Sequence, residues 1–172
     1  HKLIASRFDI AKLTNLNAHY LRETPDAELL PLVLPRIEEK LGAPVDGAGR
    51  DRIVRGLNGV KPRARTLVEL ADSLAFYARA GAPPISDDKA RGVLTPDARA
   101  VMAKLAPALE LQAIDWSEKA IEEAVRKFAE ANGLKLGEVA QPLRVALTGS
   151  TASPGIFEVL AVLGPAESKV RL

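Results

Sequence analysis

The sequence predicts an all-α fold, a helical bundle or cage of two small subdomains, and three observations carry that expectation. Only seven aromatics occur in 172 residues (four Phe, two Tyr, one Trp). A core must therefore come mainly from Leu, Val, Ile and Ala, which suits packed helices better than a β-sandwich. Helix start and stop signals recur along the chain, and apolar residues return about every 3.6 positions between them.

The start signals pair a hydroxyl with proline at Thr24-Pro25, Thr95-Pro96 and Ser153-Pro154. In each pair the oxygen is expected to accept a bond from an orphaned helix N–H, and the proline fits a first turn. Asp26 and Asp97 follow where the helix dipole favours negative charge. Asp115 with Glu118 is expected to form a comparable reciprocal cap. Expected stops are Gly42, Gly81, Gly133, Gly149 and Gly164. Pro31 and Pro35 are expected to shorten or kink the helix begun at Thr24, because each removes a ladder donor.

Apolar stripes support helices in the intervals. Leu67, Leu70, Ala71, Leu74 and Ala78 share one face, and Ile121, Val125, Phe128 and Ala129 share another. Ile156 to Leu163 is apolar nearly all round and reads as a central helix buried on most sides. Gly81-Ala82-Pro83-Pro84 is the expected boundary, since neither helix nor strand continues through it. It divides the chain into subdomains 1–84 and 85–172.

Composition bounds the chemistry. Hydrophobic residues make up 47% and charged residues 27%, an ordinary globular balance. With no cysteine there are no disulfides and no thiolate zinc site, which fits a reducing compartment. No run of about 18 apolar residues offers a membrane span. The absence of a start Met at His1 suggests a piece of a longer chain. Gly47-Ala48-Gly49-Arg50 lacks the third glycine and preceding strand of a dinucleotide fold, and Gly149 to Gly155 lacks the end of a phosphate loop. His1 and His19 are the only histidines and do not suggest a metal site or a triad. No catalytic residue is expected.

Two stretches stand out. Arg50, Arg52, Arg55, Lys61, Arg63 and Arg65 face a single acid, Asp51, between positions 50 and 65. They read either as a solvated face or as a surface for a polyanion, and arginine's planar fork suits phosphates and base edges. Pro62 stiffens the turn that carries Arg63. In the second stretch, Gln141 and Arg144 interrupt two apolar helical turns ahead of the loop from Thr148 to Gly155. Pro142 is unexpected inside a helix, so a helix starting nearer Val139 is one reading. On that reading, Gln141 and Arg144 are satisfied at a subdomain interface. The other reading is a helix end and loop that present polar groups to a ligand.

These segments resemble the C-terminal half of bacterial glutamyl-tRNA synthetases. The resemblance is carried by LKLGEVAQPLR from Leu134 to Arg144, ALTG from Ala146 to Gly149, and SPGIFEVLAVLG from Ser153 to Gly164. Phe8-Asp9, Lys12-Leu13, Asn17 and Tyr20-Leu21 resemble the segment after that family's second ATP signature. Val60-Lys61-Pro62-Arg63, Thr66-Leu67, Glu69 and Trp116 fit the anticodon-binding region. The resemblance implies the anticodon-binding fold of a class I aminoacyl-tRNA synthetase, in a cytoplasmic, monomeric enzyme that attaches glutamate to tRNA using ATP.

Neither ATP signature of the family's N-terminal Rossmann-type domain occurs here, so ATP and magnesium would belong to an absent catalytic domain. The partner implied is tRNA for glutamate, with no membrane and no metal. Carried over by position, Arg63 would recognise the third anticodon base, while Arg144, Ser153, Pro154 and Ile156 would contact the anticodon loop. Pro154 and Ile156 would offer apolar surface against bases. At position 153 some relatives carry Thr, which keeps the hydroxyl. Arg50, Arg52, Arg55, Lys61 and Arg65 would meet the tRNA backbone. The competing reading is a stand-alone helical RNA- or protein-binding module.

Overall fold

The computed structural model describes residues 18–111 and 115–172, and the chain divides into two compact units between Arg79 and Ala80. Among the described residues every regular element is helical, in agreement with the all-α expectation. None of these helices is long and apolar enough to cross a membrane. Of the segments singled out above, His1, Phe8-Asp9, Lys12-Leu13 and Asn17 lie outside the described residues.

The first unit contains α1 (Ala18–Glu23), α2 (Asp26–Leu41), α3 (Gly47–Val60), a short 3-10 turn (Lys61–Arg63) and α4 (Leu67–Ala78). Both α2 and α3 pack on α4. The core joins Leu29, Val33 and Ile37 of α2 to Ile53 and Leu57 of α3 and to Leu67, Leu70, Leu74 and Tyr77 of α4, all buried. Each such large side chain contributes about 1.5–3 kcal/mol on burial.

Caps define the ends. Asp46 Oδ1 accepts from the Gly49 N–H at 2.7 Å, which makes Gly47-Ala48-Gly49 the first turn of α3. Thr66 caps α4 by accepting from the Glu69 N–H at 3.1 Å. Pro62 has no N–H to continue the ladder of α3, so the chain tightens into the 3-10 turn, closed by the Ala64 N–H on the Lys61 carbonyl at 3.2 Å.

Two expectations fail in this unit. Thr24 does not cap α2; its hydroxyl donates back to the Tyr20 carbonyl at 2.7 Å, and α2 begins at Asp26 without a side-chain cap. Pro31 and Pro35 do not shorten α2, which runs for 16 residues through both. They stand four apart on the exposed face, where solvent offsets the two missing ladder bonds.

The second unit contains α5 (Asp88–Val93), α6 (Pro96–Glu110), α7 (Glu118–Ala131), α8 (Leu136–Thr148) and α9 (Ile156–Arg171). Its core takes Met102, Leu105 and Leu109 from α6 and Ile121, Val125, Phe128 and Ala129 from α7. To these are added Val139, Leu143 and Leu147 from α8 and Val159, Leu160 and Leu163 from α9. The expected stripe of α7 and the enclosed character of 156–163 are both observed. Thr95 caps α6 as expected, accepting from the Ala98 N–H at 3.1 Å.

At α7 the cap is Ser117, which accepts from the Ala120 N–H at 3.2 Å, while Asp115 accepts from the Ser117 N–H. The expected Asp115–Glu118 pairing is therefore replaced. Trp116 donates its indole N–H to the Leu160 carbonyl at 2.7 Å, fixing the entry to α7 against α9. Helix α8 starts at Leu136, not near Val139, so Pro142 lies well inside it. The carbonyl it leaves unpaired belongs to Glu138, on the exposed first turn. All five expected stop glycines have positive φ. At Gly164 (φ 81, ψ 166) the break divides α9, and Pro165 begins its second segment.

Candidate nucleic-acid interface

Each unit holds one of the two arginines expected at the anticodon, Arg63 for its third base and Arg144 for its loop. In the second unit Arg144 is half-buried on the exposed side of α8. Its Nε donates to the Ser153 hydroxyl at 3.0 Å and its Nη1 to Gln141 Oε1 at 3.0 Å. The Ser153 hydroxyl donates in turn to the Pro154 carbonyl at 2.7 Å. This overturns the expected cap at Ser153–Pro154: α9 begins two residues later, after Gly155, without a side-chain cap. The hydroxyl instead aligns the guanidinium, and its acceptor role carries the connection.

The loop between α8 and α9 is fixed from several sides. The Thr148 hydroxyl donates to the Arg144 carbonyl at 2.8 Å and accepts from the Ser150 N–H at 3.2 Å. Gly149 has φ 76, and a Cβ placed there would overlap the Pro84 carbonyl. Its own carbonyl accepts from the Ser86 N–H at 2.8 Å. Pro83 and Pro84, both within the second unit, thus pack beside Gly149. Beneath the loop, Arg171 is fully buried and donates to the Leu147 carbonyl at 2.7 Å and to Glu167 at 3.0 Å. Glu167 also accepts from the Gly81 N–H at 2.8 Å. Pro154 and Ile156 face inward, with Ile156 only 5% exposed. They support the loop from inside and do not present the apolar surface expected of them.

In the first unit Arg63 is exposed at the end of the 3-10 turn. Arg50, Arg55 and Arg65 are also exposed. Arg65 forms a paired contact with Glu69 at 2.9 Å, and the Arg65 backbone N–H reaches the same carboxylate at 2.9 Å. The side-chain bond from Arg65, foremost among these causes, holds the Glu69 carboxyl below the ordinary carboxylate range.

Two of the expected backbone contacts are instead turned inward. Arg52 is 6% exposed and donates to the Tyr77 carbonyl at 2.6 Å and the Arg79 carbonyl at 3.2 Å, satisfying the end of α4. Lys61 is 8% exposed and donates to the Thr24 carbonyl at 2.7 Å and to Asp26 Oδ1 at 2.9 Å. Neither cation is presented to an external phosphate in this structure. Sequence reasoning did not anticipate these clamps. Arg52 left a signal, since it shares a helix face with Gly49, Ile53, Gly56 and Val60, all buried. Lys61 and Arg171 left none beyond composition.

Residues 20–172 match the family described as the anticodon binding domain. The chain is 53% identical over 167 residues to glutamate–tRNA ligase 2 of Rhodospirillum centenum, covering 97% of this chain and 35% of that protein. It is 47% identical over 173 residues to glutamate–tRNA ligase 1 of Methylobacterium radiotolerans, covering 98% and 36%. The chain thus spans about a third of the length of these relatives. In fold it is similar to the crystal structure of a glutamate tRNA ligase from Elizabethkingia meningosepticum, with a TM-score of 0.70 at 24% identity over 90% of this chain and 30% of that one. With the family match extending over nearly all its length, this chain belongs to the anticodon-binding domain family.

Proposed function

We propose that this chain is the tRNA-reading C-terminal part of a glutamate–tRNA ligase and that Arg63 and Arg144 meet the anticodon loop. The observation that carries the reading is the Arg144–Ser153–Gln141 arrangement. A guanidinium oriented by two side chains is held in a fixed pose at a loop mouth, where a planar cation can meet splayed single-stranded bases. The first-turn N–H groups of α9, free of a side-chain cap, open at the same loop and favour a phosphate there. Arg63 supplies the second contact. Its donors match acceptors on a cytosine edge and meet a different pattern on guanine, so it favours tRNA for glutamate over tRNA for glutamine at the third anticodon base.

Catalysis belongs to the part of the parent outside this chain. Among the described residues no group of three or more His, Asp or Glu side chains could hold a metal ion. The reading as a stand-alone module is disfavoured by alignment of 97% of the chain with a synthetase.

The test is titration of this chain into labelled tRNA for glutamate and into the same tRNA with its third anticodon base changed from C to G, at low and moderate salt. Phosphate contacts weaken both as salt rises. Tighter binding to the natural tRNA at both salts is expected, with Arg63→Ala removing about 1–3 kcal/mol of the preference. Equal binding to both tRNAs would reduce the chain to a charged surface.

A further inference from the structure

We infer that Lys61 is a positioning residue for Arg63, a role that rests on the base-reading assignment above. A three-residue 3-10 turn has little rigidity of its own, because its hydrogen bonds are few and poorly aligned. Here one bond, from the Ala64 N–H to the Lys61 carbonyl, closes it. The side chain of Lys61 reaches back 37 residues to the Thr24 carbonyl beyond α1, and 35 residues to Asp26 in the first turn of α2. The Lys61 ammonium thus anchors the start of the turn to two separate helix ends. Pro62 fixes the next backbone dihedral, and Arg63 follows at once.

Burying an ion pair is a poor route to stability, since desolvation offsets most of the attraction; its best-attested use is to specify one arrangement among several. The partners fit that use. The Lys61 side chain is 10% exposed and that of Asp26 32%, so the ammonium is enclosed and can bond only where the two helix ends meet it. Methionine of similar length would fill the space without selecting a pose.

The experiment uses this 172-residue chain with Lys61→Met, with the double variant Lys61→Met/Asp26→Asn, which leaves no uncompensated charge, with Lys61→Arg and with Arg63→Ala. Two quantities are read: amide hydrogen exchange at Ala64 against Leu70 of α4, and the affinity ratio for the C and G forms of the tRNA. For the double variant, Ala64 should exchange about tenfold faster while Leu70 is unchanged. The affinity ratio should fall roughly three- to tenfold, with binding to the G form retained. Lys61→Arg, which keeps charge and donors, should recover part of the ratio. If the ratio survives in the double variant but is lost in Arg63→Ala, the positioning role is overturned while base reading stands. If Arg63→Ala also keeps the ratio, base reading is overturned and the positioning role with it. Unchanged Ala64 exchange would overturn the positioning role by itself.

Discussion

Arg144 and Arg63 are held in opposite ways. Arg144 sits within a 13-residue helix, so the α-ladder fixes its backbone, and only its side chain needs restraint; Ser153 and Gln141 supply that. Arg63 ends a three-residue turn, where the backbone is the loose component, and the restraint comes from the residue two before it in sequence. An arginine on a helix is tuned through its side-chain neighbours, and an arginine on a turn through what lies behind the turn.

The largest expected effect that would break this comparison comes from Gly149→Ala. Its positive φ and the overlap with the Pro84 carbonyl together should cost about 3 kcal/mol or more, measured by chemical denaturation. The loop bearing Ser153 would be displaced and tRNA affinity should drop, while the C-to-G ratio assigned to Arg63 survives. Loss of that ratio as well would mean that the two arginines are not separately held. A smaller effect is expected from Ser153→Ala, which removes the acceptor for Arg144 Nε. About 1 kcal/mol of tRNA affinity should be lost, and Ser153→Thr should restore it. Equal losses from Ala and Thr would point to the shape of the loop and away from the hydroxyl.

The smallest effect concerns Arg65 and Glu69, beside the Arg63 turn. The Glu69 carboxyl titrates below its ordinary value in the folded chain because Arg65 bonds to it, so the folded state binds fewer protons than the unfolded one. Stability is then gained above the ordinary carboxylate range and lost as pH falls through the lowered value. The pair is exposed and its share is small. Glu69→Gln should flatten the acid limb of the stability–pH curve slightly, and an unchanged limb would remove the pair from the account.

Much of the fold is legible in the sequence because periodicity and stop glycines are local signals. The stripe at Leu67–Ala78, the enclosed helix from Ile156, and the five positive-φ glycines all follow from pattern. Hydroxyl–proline pairs are less reliable, since a hydroxyl both donates and accepts. Thr95 caps a helix, Thr24 bonds backwards to Tyr20, and Ser153 serves an arginine nine residues away. Prolines mislead for a related reason, because their cost depends on whether the orphaned carbonyl is wetted. The basic stretch from 50 to 65 looks uniform as a string. Folding divides it into inward clamps, Arg52 and Lys61, and outward groups such as Arg63, a distinction set by tertiary partners 25 to 37 residues away.

The bond from Gly81 to Glu167 and the cover that Pro84 places on Gly149 also bear on how the molecule can be dissected. A fragment beginning at residue 85, the boundary suggested by composition, would lack the amide that shares Glu167 with Arg171. It would also lack the two prolines that lie against Gly149. A fragment beginning at Ala80 would keep both. Studies of the C-terminal half in isolation should therefore carry the two prolines, whose role is architectural despite their resemblance to a tether.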